Sequence, residues 1–64
     1  MNGFKLRVLM NEKNLSSRTL ADKLGISYNR LNRKLDGEAE FTANEINLLG
    51  NELGRREVGF IFFN

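Results

Sequence analysis

The residues best equipped for chemistry lie between Leu15 and Gly37, in LSSRTLADKLGISYNRLNRKLDG, and among them Tyr28, Asn29, Asn32 and Arg33 stand out. An asparagine amide combines an acceptor with two donors, and an arginine guanidinium holds five donors in a rigid fork. Such groups engage planar partners two hydrogen bonds at a time, asparagine matching the edge of adenine and arginine that of guanine. Tyr28 adds a ring that can stack on a sugar or meet a thymine methyl, with a hydroxyl that reaches a phosphate. At roughly 100° per helical residue, Leu31 and Leu35 mark one side of a helix. Asn29 and Arg33 then project from the opposite side, with Arg30, Asn32 and Asp36 on the flanks.

A second set suits an anion. Ser16 and Ser17 open the preceding helix, where free N–H groups and the helix dipole favour negative charge. Arg18, Arg30 and Lys34 add positive charge to either side, and Ser27 fits a helix cap better than a phosphate partner. Contacts to phosphate set affinity, whereas contacts to base edges set sequence choice. The net charge of +2 conceals an asymmetry: residues 1–35 carry eight basic and two acidic side chains, +6, and residues 36–64 carry two basic and six acidic, −4. This split reads either as one face that attracts a polyanion or as ordinary solvated charge.

Other chemistries lack their parts. There is no cysteine for a disulfide or thiolate, which suits a reducing cytoplasm, and no histidine to serve as general base or metal ligand. No metal-ligand cluster or glycine-rich phosphate loop is present, and no serine has a base to activate it, so neither an enzyme nor a bound metal or cofactor is expected. The chain begins without a basic leader and holds no apolar run of membrane length. The expectation is a soluble cytoplasmic protein without a membrane partner.

These residues need a scaffold, and 64 residues suffice for one domain near the lower size limit. A first helix is expected from about Asn2 to Lys13, with Leu6, Leu9 and Met10 inward, although Phe4 and Val8 depart from that stripe. Three further starts share one device, an apolar residue before a hydroxyl residue: Leu15-Ser16 ahead of Leu20, Ile26-Ser27 ahead of Leu31, and Phe41-Thr42 ahead of Ile46. The hydroxyl caps free N–H groups while the apolar pair staples the entry, which puts helix starts near residues 17, 28 and 43. Thr42-Ala43-Asn44-Glu45 is also a full capping box.

Ala21 keeps two helices close where they cross, and Gly25 reverses the chain with positive φ. Leu20, Leu24, Ile26, Leu31 and Leu35 form the seam between them. A fourth helix, Ala43 to Leu53, buries Ile46, Leu49 and Leu53 and ends at a left-handed Gly54, and a close neighbouring backbone would explain Gly50 within it. In residues 56–63, Val58, Ile61 and Phe62 fit a helical stripe, while Phe60 and Phe62 alternate as in a strand. A short fifth helix is favoured. Four consecutive large apolar residues exceed what so small a core can bury, so this tail serves core closure or a dimer or partner surface.

Leu20-Ala21, Leu24-Gly25-Ile26-Ser27, Leu31 and Leu35-Asp36-Gly37 resemble the helix-turn-helix of phage Cro/CI-type repressors, within the broader XRE-type regulators and nearest the short phage Cro-like members. The likeness extends over nearly the whole chain, because a fourth helix followed by an IFF-like segment also recurs in that family. It implies an all-α, compact five-helix bundle of the lambda-repressor-like type. Residues 1–64 would form a single DNA-binding domain, with the helix-turn-helix at helices 2 and 3. By the same resemblance, Tyr28, Asn29, Asn32 and Arg33 would read bases, and Ser16, Ser17, Arg18, Ser27, Arg30 and Lys34 would meet phosphate.

The implied function is a sequence-specific transcriptional regulator in the cytoplasm, associated with the nucleoid, bound as a homodimer to a pseudo-palindromic operator. Two departures stand out. Ser17 replaces a longer glutamine common in these repressors, and the often basic loop after the reading helix is Asp36-Gly37-Glu38-Ala39-Glu40. Either that loop points away from DNA, or a protein partner shares the work. The latter gives the alternative of an antirepressor or repressor-binding module on the same fold.

Overall fold

Each of the three hydroxyl residues does what its position predicts. Ser16 Oγ accepts the Thr19 N–H, Ser27 Oγ the Arg30 N–H and Thr42 Oγ1 the Glu45 N–H, all at 3.1 Å. Asn2 caps the first helix in the same way through its amide oxygen. The computed structural model describes residues 1–63 and contains α1 (Gly3–Glu12), α2 (Ser17–Leu24), α3 (Tyr28–Leu35), α4 (Ala43–Leu53) and α5 (Arg55–Phe63). The starts expected near 17, 28 and 43 fall at Ser17, Tyr28 and Ala43. The tail is a helix, as favoured. Among the described residues, no helix is long and apolar enough to cross a membrane.

The first three helices end alike, each closing its last turn with a bond from a residue two or three positions beyond its end. Leu15 N–H donates to Met10 O, Ile26 N–H to Ala21 O and Glu38 N–H to Arg33 O, at 2.9, 3.1 and 2.9 Å. This closure needs a left-handed residue in between. Gly25 supplies it between α2 and α3 with φ 74°, and Asn14 supplies it after α1 with φ 56°. Asparagine tolerates that conformation better than most residues with a Cβ.

The α4–α5 junction departs from expectation. Gly54 has φ 104° and ψ 123°, so it is no left-handed helical stop. It forms a one-residue joint that leads straight into α5, whose Val58 N–H returns to Gly54 O. The neighbour of Gly50 is the first residue of α5: a Cβ there would stand 3.2 Å from Arg55 Cγ. A side-chain stem thus makes the close approach expected of a backbone.

Every helix sends at least one fully buried aliphatic side chain inward: Leu6, Leu20, Leu31, Leu49 with Leu53, and Val58. The expected seam is also buried, except that Ile26 is half-buried at its edge. Helix α1 packs against α3 and α5, while α2 lies against α3 and α4. Phe62 of α5 meets Phe41 edge to face at 5.5 Å between centroids.

A buried ion pair lies within this interior. Lys34, at the end of α3, is 4% exposed and donates to Glu45 Oε1 in the first turn of α4, itself 7% exposed. The same carboxylate oxygen accepts the Thr42 N–H at 2.9 Å, completing the capping box. The Lys34 ammonium also stands 5.7 Å from the centroid of the Phe41 ring. Burial pushes the Glu45 carboxyl up, yet the Lys34 hydrogen bond, the Thr42 N–H and the Lys34 charge together hold it below its ordinary value. A carboxyl depressed in the folded state adds stability above its unfolded value and loses it as the pH falls through the folded one.

Lys34→Met strands a carboxylate in the interior. It should lower stability by about 3 kcal/mol, the low end for breaking a buried pair, because the Thr42 N–H remains. Urea titration should show that loss near neutral pH. The loss should shrink in acid, where Glu45 is protonated, and Lys34→Met with Glu45→Gln should recover more than half of it. An equal loss at both pH values would refute the pairing.

Candidate nucleic-acid interface

The exposed side of α3 follows from what its other side must bury. Leu31 and Leu35 face the core, and Lys34 faces it with them, three residues after Leu31 on the same stripe. Tyr28, Asn29, Arg30 and Arg33 are therefore exposed along one rod, with Asn32 half-buried on its flank. None of Asn29, Asn32 and Arg33 uses its side chain in a hydrogen bond among the described residues, so their paired donors and acceptors are free for an outside partner.

The start of α2 joins this surface through a single contact. The Arg18 guanidinium lies over the Tyr28 ring, 4.3 Å from its centroid. This stacking places the first turns of α2 and α3 side by side and turns Tyr28 and Arg18 into one unit. Ser16 is exposed and Ser17 half-buried beside them. The cap takes only the Thr19 N–H, so the first amides of α2 stay available to an anion. Ser27 is exposed and caps α3, consistent with its main expected role.

Lys34 corrects the expected phosphate set. Its ammonium is buried against Glu45 and Phe41, so it cannot reach out to a phosphate as Arg18 and Arg30 can. The signal was present in the sequence, because Lys34 shares the inward stripe of Leu31 and Leu35. A positive charge invites an outward reading, and only a buried carboxylate overrides it.

Among the described residues the ion pairs are Arg7–Asp36 at 2.8 Å, Lys23–Glu52 at 3.4 Å and the buried Lys34–Glu45 pair. Arg18, Arg30 and Arg33 enter none of them. Asp36, the first carboxylate of the acidic exit from α3, is engaged by Arg7, 29 residues away in sequence. Both side chains are about half exposed, so the pair is worth at most about 1 kcal/mol in stability. Its effect is to remove one negative charge from the end of α3. Beyond it, a shallow hollow of about 210 Å³ is lined by Arg30, Arg33, Lys34 and Ala39. The loop thus contributes Ala39 to this basic hollow, while Glu38 and Glu40 stay outside its lining.

Tyr28 is the single tyrosine of a chain without tryptophan, so tyrosine emission reports on this site alone. Arg18→Ala should change that emission and the near-ultraviolet dichroism while leaving helix content intact. Unchanged spectra would mean that the stack does not hold in solution.

The geometry is that of two short helices joined by a tight left-handed turn, the second presenting free amide and guanidinium groups on a rigid rod. No curated protein and no solved structure gives a significant match to the chain. A family model described as the Cro/C1-type HTH DNA-binding domain matches residues 5–54, from the first turn of α1 to the joint before α5. With that match over most of its length, the chain belongs to the Cro/C1-type helix-turn-helix DNA-binding family.

Proposed function

We propose that this DNA-binding domain is a sequence-specific transcriptional regulator of the phage Cro or repressor type, acting by occupancy without chemistry. Helix α3 enters the major groove, where Tyr28, Asn29, Asn32 and Arg33 meet base edges. Ser16, Ser17 and Arg18 at the start of α2, with Ser27 and Arg30, hold the flanking phosphates. The observation that carries this reading is the unspent hydrogen-bonding capacity of Asn29 and Arg33, directly opposite the buried Leu31 and Leu35. Two copies bind a pseudo-palindromic operator with half-sites about one helical turn apart. In a bacterial cell such a protein resides in the cytoplasm with the nucleoid.

A second reading draws on Glu38 and Glu40, exposed beyond the end of α3, and on the exposed rings of Phe60 and Phe63. These suit an antirepressor or a module that binds another repressor. Their weight falls because Asp36 is already paired and the loop turns Ala39 toward the basic hollow.

Selection from random duplexes should enrich a palindrome. On it, log K should fall with log salt at a slope of about −4, as two arginine–phosphate contacts per copy in a dimer require. Arg30→Ala should weaken binding to all sequences alike and flatten that slope by about 2. Arg33→Ala should instead cost about 1–3 kcal/mol per half-site on the selected sequence and relax the preference at one base pair of each. Binding that ignores both salt and sequence would sink the DNA reading. Co-purification with a repressor and no duplex binding at low salt would favour the second.

A further inference from the structure

Helices α1 and α5 leave an apolar groove between them on a side of the molecule that shares no residue with the DNA set. Phe4 is 76% exposed, Val8 43% and Phe60 57%, and Leu9 and Ile61 lie beneath them. The groove has a volume of about 340 Å³. Its rim is charged and of mixed sign, with Lys5 in the first part of α1, Glu12 at the end of α1, and Glu57 on α5.

We infer that the occupant of this groove is a second copy of the chain, docked about a two-fold axis near Val8. This rests on the proposed binding of two copies to one operator and identifies the surface that joins them. The rim makes the face complementary to itself. Lys5 and Glu12 sit seven residues apart, about 10 Å along the helix, on either side of Val8. Crossing two α1 helices in antiparallel fashion sets Lys5 of each copy against Glu12 of the other, while Phe4, Val8 and Phe60 of both copies form one dry centre. Such an isologous patch closes at two copies and does not propagate.

The residues that line the groove and those exposed on α3 have no member in common, so the same copy can use both.

Sedimentation of the full chain without DNA, over a range of concentrations, tests this. The wild type should pass from monomer to dimer. Phe60→Asp should raise the dissociation constant by about 30-fold or more, as losing a central anchor does, while helix content stays unchanged because Phe60 is outside the core. Lys5→Glu and Glu12→Lys should each loosen the dimer several-fold, and the two together should restore it, which a folding defect would not allow. A wild type that stays monomeric, a dimer indifferent to Phe60→Asp, or no recovery in the double charge swap overturns the assignment. Binding to a single half-site separates the two readings. A monomeric Phe60→Asp that still recognises a half-site supports both. A dimer that Phe60→Asp loosens, but that shows no preference for any duplex, upholds the surface and defeats the DNA reading.

Discussion

The buried contact between Lys34 and Glu45 is the constraint on which the rest of this small protein depends. It joins the last turn of α3 to the first turn of α4, across a loop of seven residues without regular structure. An ion pair inside so small a core is expensive, since each charge gives up its water. The cost is contained because Glu45 has a second donor in the Thr42 N–H and Lys34 has the Phe41 ring beside it. No buried side-chain nitrogen or oxygen among the described residues lacks a partner. The pair also acts on the surface, because it withdraws one positive charge from α3 and leaves the arginines to define its outward chemistry.

Local devices were the most legible part of the sequence. A hydroxyl residue behind an apolar one marks where free amides must be satisfied, and this requirement is met within four residues whatever the rest of the chain does. Ser16, Ser27 and Thr42 therefore located three helix starts, and Gly25 located the turn. The left-handed Asn14 carries no such mark in the sequence, because asparagine, although enriched in that conformation, adopts the ordinary ones far more often. The tail was ambiguous because Phe60 and Phe62 alternate. It resolves as a helix because Val58, Ile61 and Phe62 share the stripe that packs on the interior, which leaves Phe60 and Phe63 outside.

Contacts distant in sequence were illegible for a different reason. Nothing in the periodicity of α1 shows that Arg7 meets Asp36, or that Arg18 lies over Tyr28, since each depends on how two helices pack. Lys34 lies between these cases, its inward position visible in the spacing but its carboxylate partner not. The same limit applies to the charge asymmetry. An excess of +6 in the first 35 residues suggests a positive face, but pairing decides which of those charges remain available. Among the described residues, Arg7, Lys23 and Lys34 are held by carboxylates, while Arg18, Arg30 and Arg33 are not.

Helix α1 connects the two surfaces. Its inner residues Leu6, Leu9 and Met10 belong to the buried cluster that also holds Leu31 and Leu35 of α3. Its Arg7 reaches the end of α3, and its Phe4 and Val8 stand on the outer groove. A close-packed interior resists sliding of one helix against another. The angle between the groove and the exposed face of α3 is therefore set by core packing. Pairing through α1 and α5 would fix the separation of two α3 helices in the same way, so that the spacing of half-sites becomes a property of the core. On that view a change at Leu6 or Leu35 alters operator choice without touching a base, because it turns one rigid surface relative to the other.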